Sequence, residues 1–205
     1  MMLCELDKNY YVKILNKFYI IYQQYILTMF DKMNSDYSEM QRKTDDDYVL
    51  SDMADLFSTM ENSFIASWIC IEYQKWQQLV YLYIAHEKLA NNIPLDKCTQ
   101  EKYPPVDKIF SRYGVDVKSF ASWGDIDEMR LVVNVVKHFT GKSYNVLLKK
   151  RPDLFILYNE YDVKRAAIGS GEFKLNLKSE DYYNYHNALV KFWNELYTVI
   201  NDEES

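Results

Sequence analysis

Glycine and proline are scarce, with 5 and 4 copies in 205 residues. A many-turned β fold needs such residues at its bends, so their shortage, together with long periodic runs, points to helices. Cysteine is scarcer still. Cys4, Cys70 and Cys98 are too few and too scattered for a disulfide framework, and no CxxC or HxxxH pairing suggests a structural zinc site. No apolar run reaches the ~18 residues that a membrane-spanning helix needs. The N-terminus lacks a charged region followed by an apolar stretch and a cleavage site, so the expected compartment is the reducing cytoplasm. Basic charge is also in short supply. Lys and Arg number 24 against 30 Asp and Glu, a net charge of −6. Proteins that coat nucleic acid are usually basic overall, so any contact with RNA has to be local.

What the chain does have is length and apolar content. Its 205 residues and 48% hydrophobic composition are enough for one substantial core. No repeat, low-complexity tract or linker divides it, so residues 1–205 read as a single domain. Leu6 to Met33 reads as a long helix in which Ile14, Phe18, Ile21 and Tyr25 recur at helical spacing. A second row, Leu15, Tyr22 and Met29, widens the stripe expected to be buried. Asn34 to Tyr48 is polar and reads as a solvated loop. From Ser51 to about Ala90 the row Met53, Leu56, Met60, Phe64, Trp68 and Ile71 continues through Leu79 and Leu82, giving one long helix or a bent pair.

Pro94, Pro104 and Pro105 mark a connector, followed by short helices at Val106–Tyr113 and Val115–Trp123. Leu154 to Ala167 reads as weakly patterned helix. Phe173, Leu175 and Leu177 alternate with polar residues, a strand signal consistent with one small β-hairpin near 165–178. Tyr182, Tyr185, Leu189, Phe192, Leu196 and Val199 set the rhythm of a final helix. The expected fold is all-α: a helical bundle of long helices with short helices inserted.

The stretch with most chemistry is Asp125 to Arg151. Asp125 with Glu128 three residues on is a helix-start signature. Arg130, Asn134 and His138 then recur every four residues and share one helix face. Leu131, Val132, Val135, Val136 and Phe139 take the other side. Gly141 ends this helix and Ser143 caps the next. An Arg, an amide and a His in a row suit acid/base work on a phosphate ester. The structural alternatives are an Arg130–Asp127 surface pair, a hydrogen bond from Asn134 to a neighbouring helix, and a His138 placed to suit the helix dipole. Lys137, Lys142, Lys149, Lys150 and Arg151 follow with no acid among them, a basic island that could attract an RNA backbone. Helix C-termini also gather such cations.

The segment Asn134 to His138, NVVKH, resembles the motif of the HEPN superfamily on a late helix. That motif is an Arg, then a polar residue, then a His one turn later. Asn134 matches the polar position and His138 the His. The Arg position holds Val133, with Arg130 one turn earlier, and Thr140 stands where some toxin members carry Tyr. The resemblance implies a helical bundle that homodimerises through facing motif helices. It further implies a metal-independent ribonuclease of a toxin–antitoxin or phage-defence system, with no cofactor and no metal site. Arg130, Asn134 and His138 would then be catalytic, and RNA and an antitoxin would be partners. The other reading is a non-catalytic helical module that binds a protein or RNA through the same face, with no membrane association in either case.

Overall fold

The computed structural model describes residues 7–43, 47–90, 104–138, 141–155 and 175–202. The fold is all-α. Helix α1 (Lys8–Ile21) runs through a π turn (Tyr22–Leu27) into α2 (Thr28–Gln41). Helix α3 (Asp47–Ala90) is a single helix of 44 residues. The short α4 (Val106–Ser111) and a 3-10 turn (Val117–Ser119) lead to α5 (Trp123–His138) and α6 (Lys142–Lys150). A second 3-10 turn (Pro152–Leu154) follows, and α7 (Ser179–Asp202) completes the described chain. The hairpin expected near 165–178 falls mainly outside the described residues. The described residues there make only an isolated antiparallel bridge, between Phe155 and Leu175, with Asn176 N–H donating to the Leu154 carbonyl at 2.8 Å, which does not show a hairpin.

Local chemistry sets several of these ends. Asp7 caps α1 by accepting the Tyr10 N–H at 3.3 Å. Gly114 stops the turn after α4 at φ 83°, a left-handed conformation that a Cβ disfavours. Gly141 takes φ 100° at the N-cap of α6, which leaves Ser143 inside that helix rather than at its cap. The start of α5 lies two residues before Asp125. Its N-terminal groups are held by a carboxylate from α7. Glu195 accepts from Ala121 N at 3.0 Å, from Ser122 N at 3.2 Å and from the Ser122 hydroxyl at 2.5 Å. Asp125 stays in the first turn, where its charge suits the dipole.

The core forms where the second half of α3 meets α1, α5 and α7. Trp76 and Trp193 are fully buried, and Tyr11 stacks on Trp193 with centroids 4.2 Å apart. From Ile65 onward α3 buries Ile69, Tyr73, Trp76, Leu79, Val80 and Tyr83. Before Ile65 it is different. No described side chain from Tyr48 to Phe64 is buried. The main neighbour there is α2, running antiparallel, with Tyr37 against Phe57 and Phe30 against Phe64. These two stretches form a helical arm in which Phe30 is the one buried residue of α2.

Two apolar rows read from the sequence lie differently in the fold. In α1 the buried row is Tyr11, Leu15 and Tyr22, while Ile21 and Tyr25 of the other row are exposed. The π turn explains part of this. It inserts extra chain into the helix, so the face that buries Tyr22 is met again by Phe30 rather than Met29. In α3 the row Leu56, Met60, Phe64 and Ile71 is exposed, and the buried face lies beside it. The region read as a loop from Asn34 is helix up to Gln41. Its polar residues are the solvent side of α2. The stretch read as a helix at Val115–Trp123 is one 3-10 turn followed by the first residue of α5.

Candidate functional site

Helix α5 packs against α3, α6 and α7, and this fixes what each motif position can do. Ile126, Met129, Leu131, Val132, Val133 and Val135 are all buried. Val133 is only 2% exposed. The position where the resembled motif carries Arg is therefore inside the core, where an unpaired guanidinium would cost several kcal/mol. A valine fills it instead.

Arg130 sits on the half-exposed edge. Its Nε and Nη2 donate to Asp127 Oδ1 at 2.9 Å and 2.8 Å, and both side chains are 43% exposed. An i,i+3 pair at that exposure contributes at most ~1 kcal/mol, but it does occupy the guanidinium. Asn134 Nδ2 donates to Ser143 Oγ at 3.3 Å, tying α5 to α6. His138 is exposed at the last residue of α5. The three residues thus share an edge as their spacing requires. Arg130 and Asn134 already have protein partners there.

The basic island divides. Lys137, Lys142 and Lys149 are exposed. Lys150 is also exposed but paired with an acid, and Arg151 is half-buried among acids. Lys150 Nζ meets Glu128 Oε2 at 3.2 Å and the Gly124 carbonyl at 3.2 Å. Arg151 Nη1 donates to Glu128 Oε1 at 2.6 Å, and its Nη2 donates to Asp153 at 2.7 Å and Asp181 at 3.1 Å. Tyr185 Oη also donates to Glu128 Oε1, at 3.0 Å. Asp153, helped by Asp181 and Glu128, holds the Arg151 guanidinium even more firmly protonated than usual, while Arg151 lowers the Asp153 carboxyl. Burial, then the Glu128 charge, pushes the Tyr185 hydroxyl up. Glu128 is therefore not the second half of a capping box. It is the buried hub joining α5, α6 and α7.

A second buried polar pair lies on a face that the sequence did not single out. Glu72 on α3 is fully buried and His186 on α7 is 4% exposed. Glu72 Oε1 lies 2.6 Å from His186 Nδ1. The His186 ring stacks on Tyr19 with centroids 4.9 Å apart. Nearby, Tyr182 Oη accepts from Trp68 Nε1 at 3.2 Å, and burial followed by the Glu72 charge keeps that hydroxyl protonated. The other Glu72 oxygen has no hydrogen-bond partner among the described residues. A signal for the pair was present: Glu72 interrupts an apolar run, and His186 is one helical turn after Tyr182, on the buried stripe.

Among the described residues no group of three or more His, Cys, Asp or Glu could hold a metal ion. Among them, too, no helix is long and apolar enough to cross a membrane. No known family, curated protein or solved structure matches the chain.

Proposed function

We propose that the chain is a single, HEPN-like helical bundle acting as a non-catalytic module, which binds a protein or RNA partner through the α5–α6 edge. The observation that carries this reading is the burial of Val133 together with the engagement of Arg130 by Asp127. Neither leaves a guanidinium ready to stabilise charge on a phosphate, and that stabilisation is usually the largest single contribution to such catalysis. What the edge offers outward is Lys137, Lys142 and Lys149 with His138, a cationic and polar strip that suits an anionic partner.

A second reading, the metal-independent ribonuclease of a cytoplasmic toxin or phage-defence system, draws on one observation. His138 is exposed beside Lys137, within reach of a bound backbone. In that reading two copies would bring their α5 edges together.

One experiment separates the two. The full chain is incubated with labelled single-stranded RNA in EDTA, with light scattering on the same sample. The module reading expects reversible binding and no cleavage products. The affinity should fall with salt at a slope of about −2 if three lysines each meet a phosphate. Lys137→Glu, Lys142→Glu and Lys149→Glu together should abolish it. Cleavage that is lost in His138→Ala would establish the ribonuclease instead, and absence of both binding and cleavage would leave a protein as the partner of this edge.

A further inference from the structure

The arm built from α2 and the first half of α3 carries three properties that belong together. The first is a partly exposed apolar stripe. Leu56 is 54% exposed, and Met60 and Phe64 are each 37% exposed. Their four-residue spacing lines them along one side of α3, which reaches α2 at Phe64, whose ring lies 6.4 Å from that of Phe30. Ile71, 45% exposed, extends the stripe toward the body.

The second is charge. Residues 28–67 contain nine acids and three bases, a net −6 that equals the net charge of the whole chain. The remainder of the sequence is therefore balanced, and the arm's described acidic side chains are Asp31, Asp36, Glu39, Asp52, Asp55 and Glu61. No Lys or Arg occurs between Lys43 and Lys75. Lys32 on α2 and Lys43 just after it are already bridged to Asp36 and Glu39 of α2.

The third is a cleft of about 180 Å³ between the two helices. Phe30, Met33, Tyr37 and Phe57 line it, with Glu61 in its wall. Aromatic walls with one carboxylate suit a long side chain that is apolar along its stem and cationic at its head.

We propose that this arm is a docking surface for a cationic amphipathic helix of a partner protein, separate from the α5–α6 edge. The apolar side of that helix covers Leu56, Met60 and Phe64. Its Lys or Arg residues meet Asp52 and Asp55, and one of them enters the cleft toward Glu61. Charge selects this occupant over the others. A second copy would bring two acidic arms together, and RNA or an anionic membrane would be repelled.

The test uses the full chain and a synthetic 18-residue peptide of Leu at helical a and d positions with Lys elsewhere. Its controls are a scrambled peptide of the same composition and a Leu/Glu peptide of the same pattern. Fluorescence anisotropy should show micromolar binding of the Leu/Lys peptide, at least about tenfold tighter than either control. Leu56→Ser with Met60→Ser should weaken it at least about tenfold, since burial of two large side chains is removed. Asp52→Lys with Asp55→Lys should also weaken it and should flatten its salt dependence. Both pairs sit on exposed positions, and circular dichroism checks that the helices persist. Equal binding of the scrambled peptide, or unchanged binding by the Leu56→Ser/Met60→Ser chain, overturns the proposal. So does a dimer in light scattering that this double substitution dissolves, because the stripe then belongs to a second copy.

Discussion

The two halves of α3 make a controlled comparison within one helix. Both are rich in large apolar residues at helical spacing, and neither contains glycine or proline. The second half buries Ile65, Ile69, Trp76 and Val80 completely, under α1, α5 and α7. The first half buries none of its described side chains from Tyr48 to Phe64. The difference is not in the helix but in what stands beside it. Periodicity says that a helix has an apolar face. It takes several neighbours to turn that face into a core, and α2 alone covers only one side.

The largest expected effect tests the deep end of the comparison. Trp76→Ala should cost about 3–5 kcal/mol, read from the denaturant midpoint at unchanged slope. A loss below ~1 kcal/mol would mean that the second half is no more a core than the first.

His186→Ala comes next. It strips Glu72 of its partner inside the body and should cost ~3 kcal/mol, against at most ~1 for Arg130→Ala on the surface. If the two losses are equal, the buried pair is not what ties α3 to α7.

Alkaline pH sharpens the contrast without mutation. Burial, ahead of neighbouring charges, pushes the hydroxyls of Tyr11 and Tyr22 up to about 12, and raises Tyr73 and Tyr182 as well. In the unfolded chain these groups ionise near ~10. Their contribution to stability is therefore complete below that pH, and it is lost as pH rises through the elevated native values. Absorbance of tyrosinate against far-ultraviolet dichroism should show a buried class that ionises only as the body unfolds. Ionisation of every tyrosine near pH 10 with helicity intact would refute it.

The smallest effect belongs to the arm. Leu56→Ser should change stability by less than ~0.5 kcal/mol, because the side chain is already in water. A larger loss would show that the stripe is covered within the chain.

The fold was legible where a stripe is narrow and flanked by polar residues. The final helix is such a case, and Tyr182, Tyr185, Leu189, Phe192 and Leu196 are buried as its rhythm implies. The apolar side of α5 was equally plain: Leu131, Val132 and Val135 are buried, with Val136 half-buried. In α1 and α3 more than one row is apolar. Spacing cannot choose between rows, and the π turn changes the phase between Tyr22 and Phe30.

At the candidate site the Arg130–Asp127 pair was readable, because a three-residue separation on a helix brings side chains together. The bonds from Arg151 to Glu128 and Asp181 span 23 and 30 residues, so they depend on helix packing that no local pattern encodes. The Asn134–Ser143 bond depends likewise on how α6 turns back at Gly141.

The π turn carries a consequence for how such a protein can change over generations. Adding or deleting one residue in a helix ordinarily rotates everything downstream by about 100° and scrambles which side chains point inward. Here one such offset is already absorbed between the body and the arm, and the helix continues through it. A single-codon deletion within Tyr22–Leu27 would leave Tyr11 and Leu15 where they are, yet swing Phe30 and the rest of α2 to a new bearing. The segment works as an indexing joint, through which the arm can be re-aimed while the body keeps its packing.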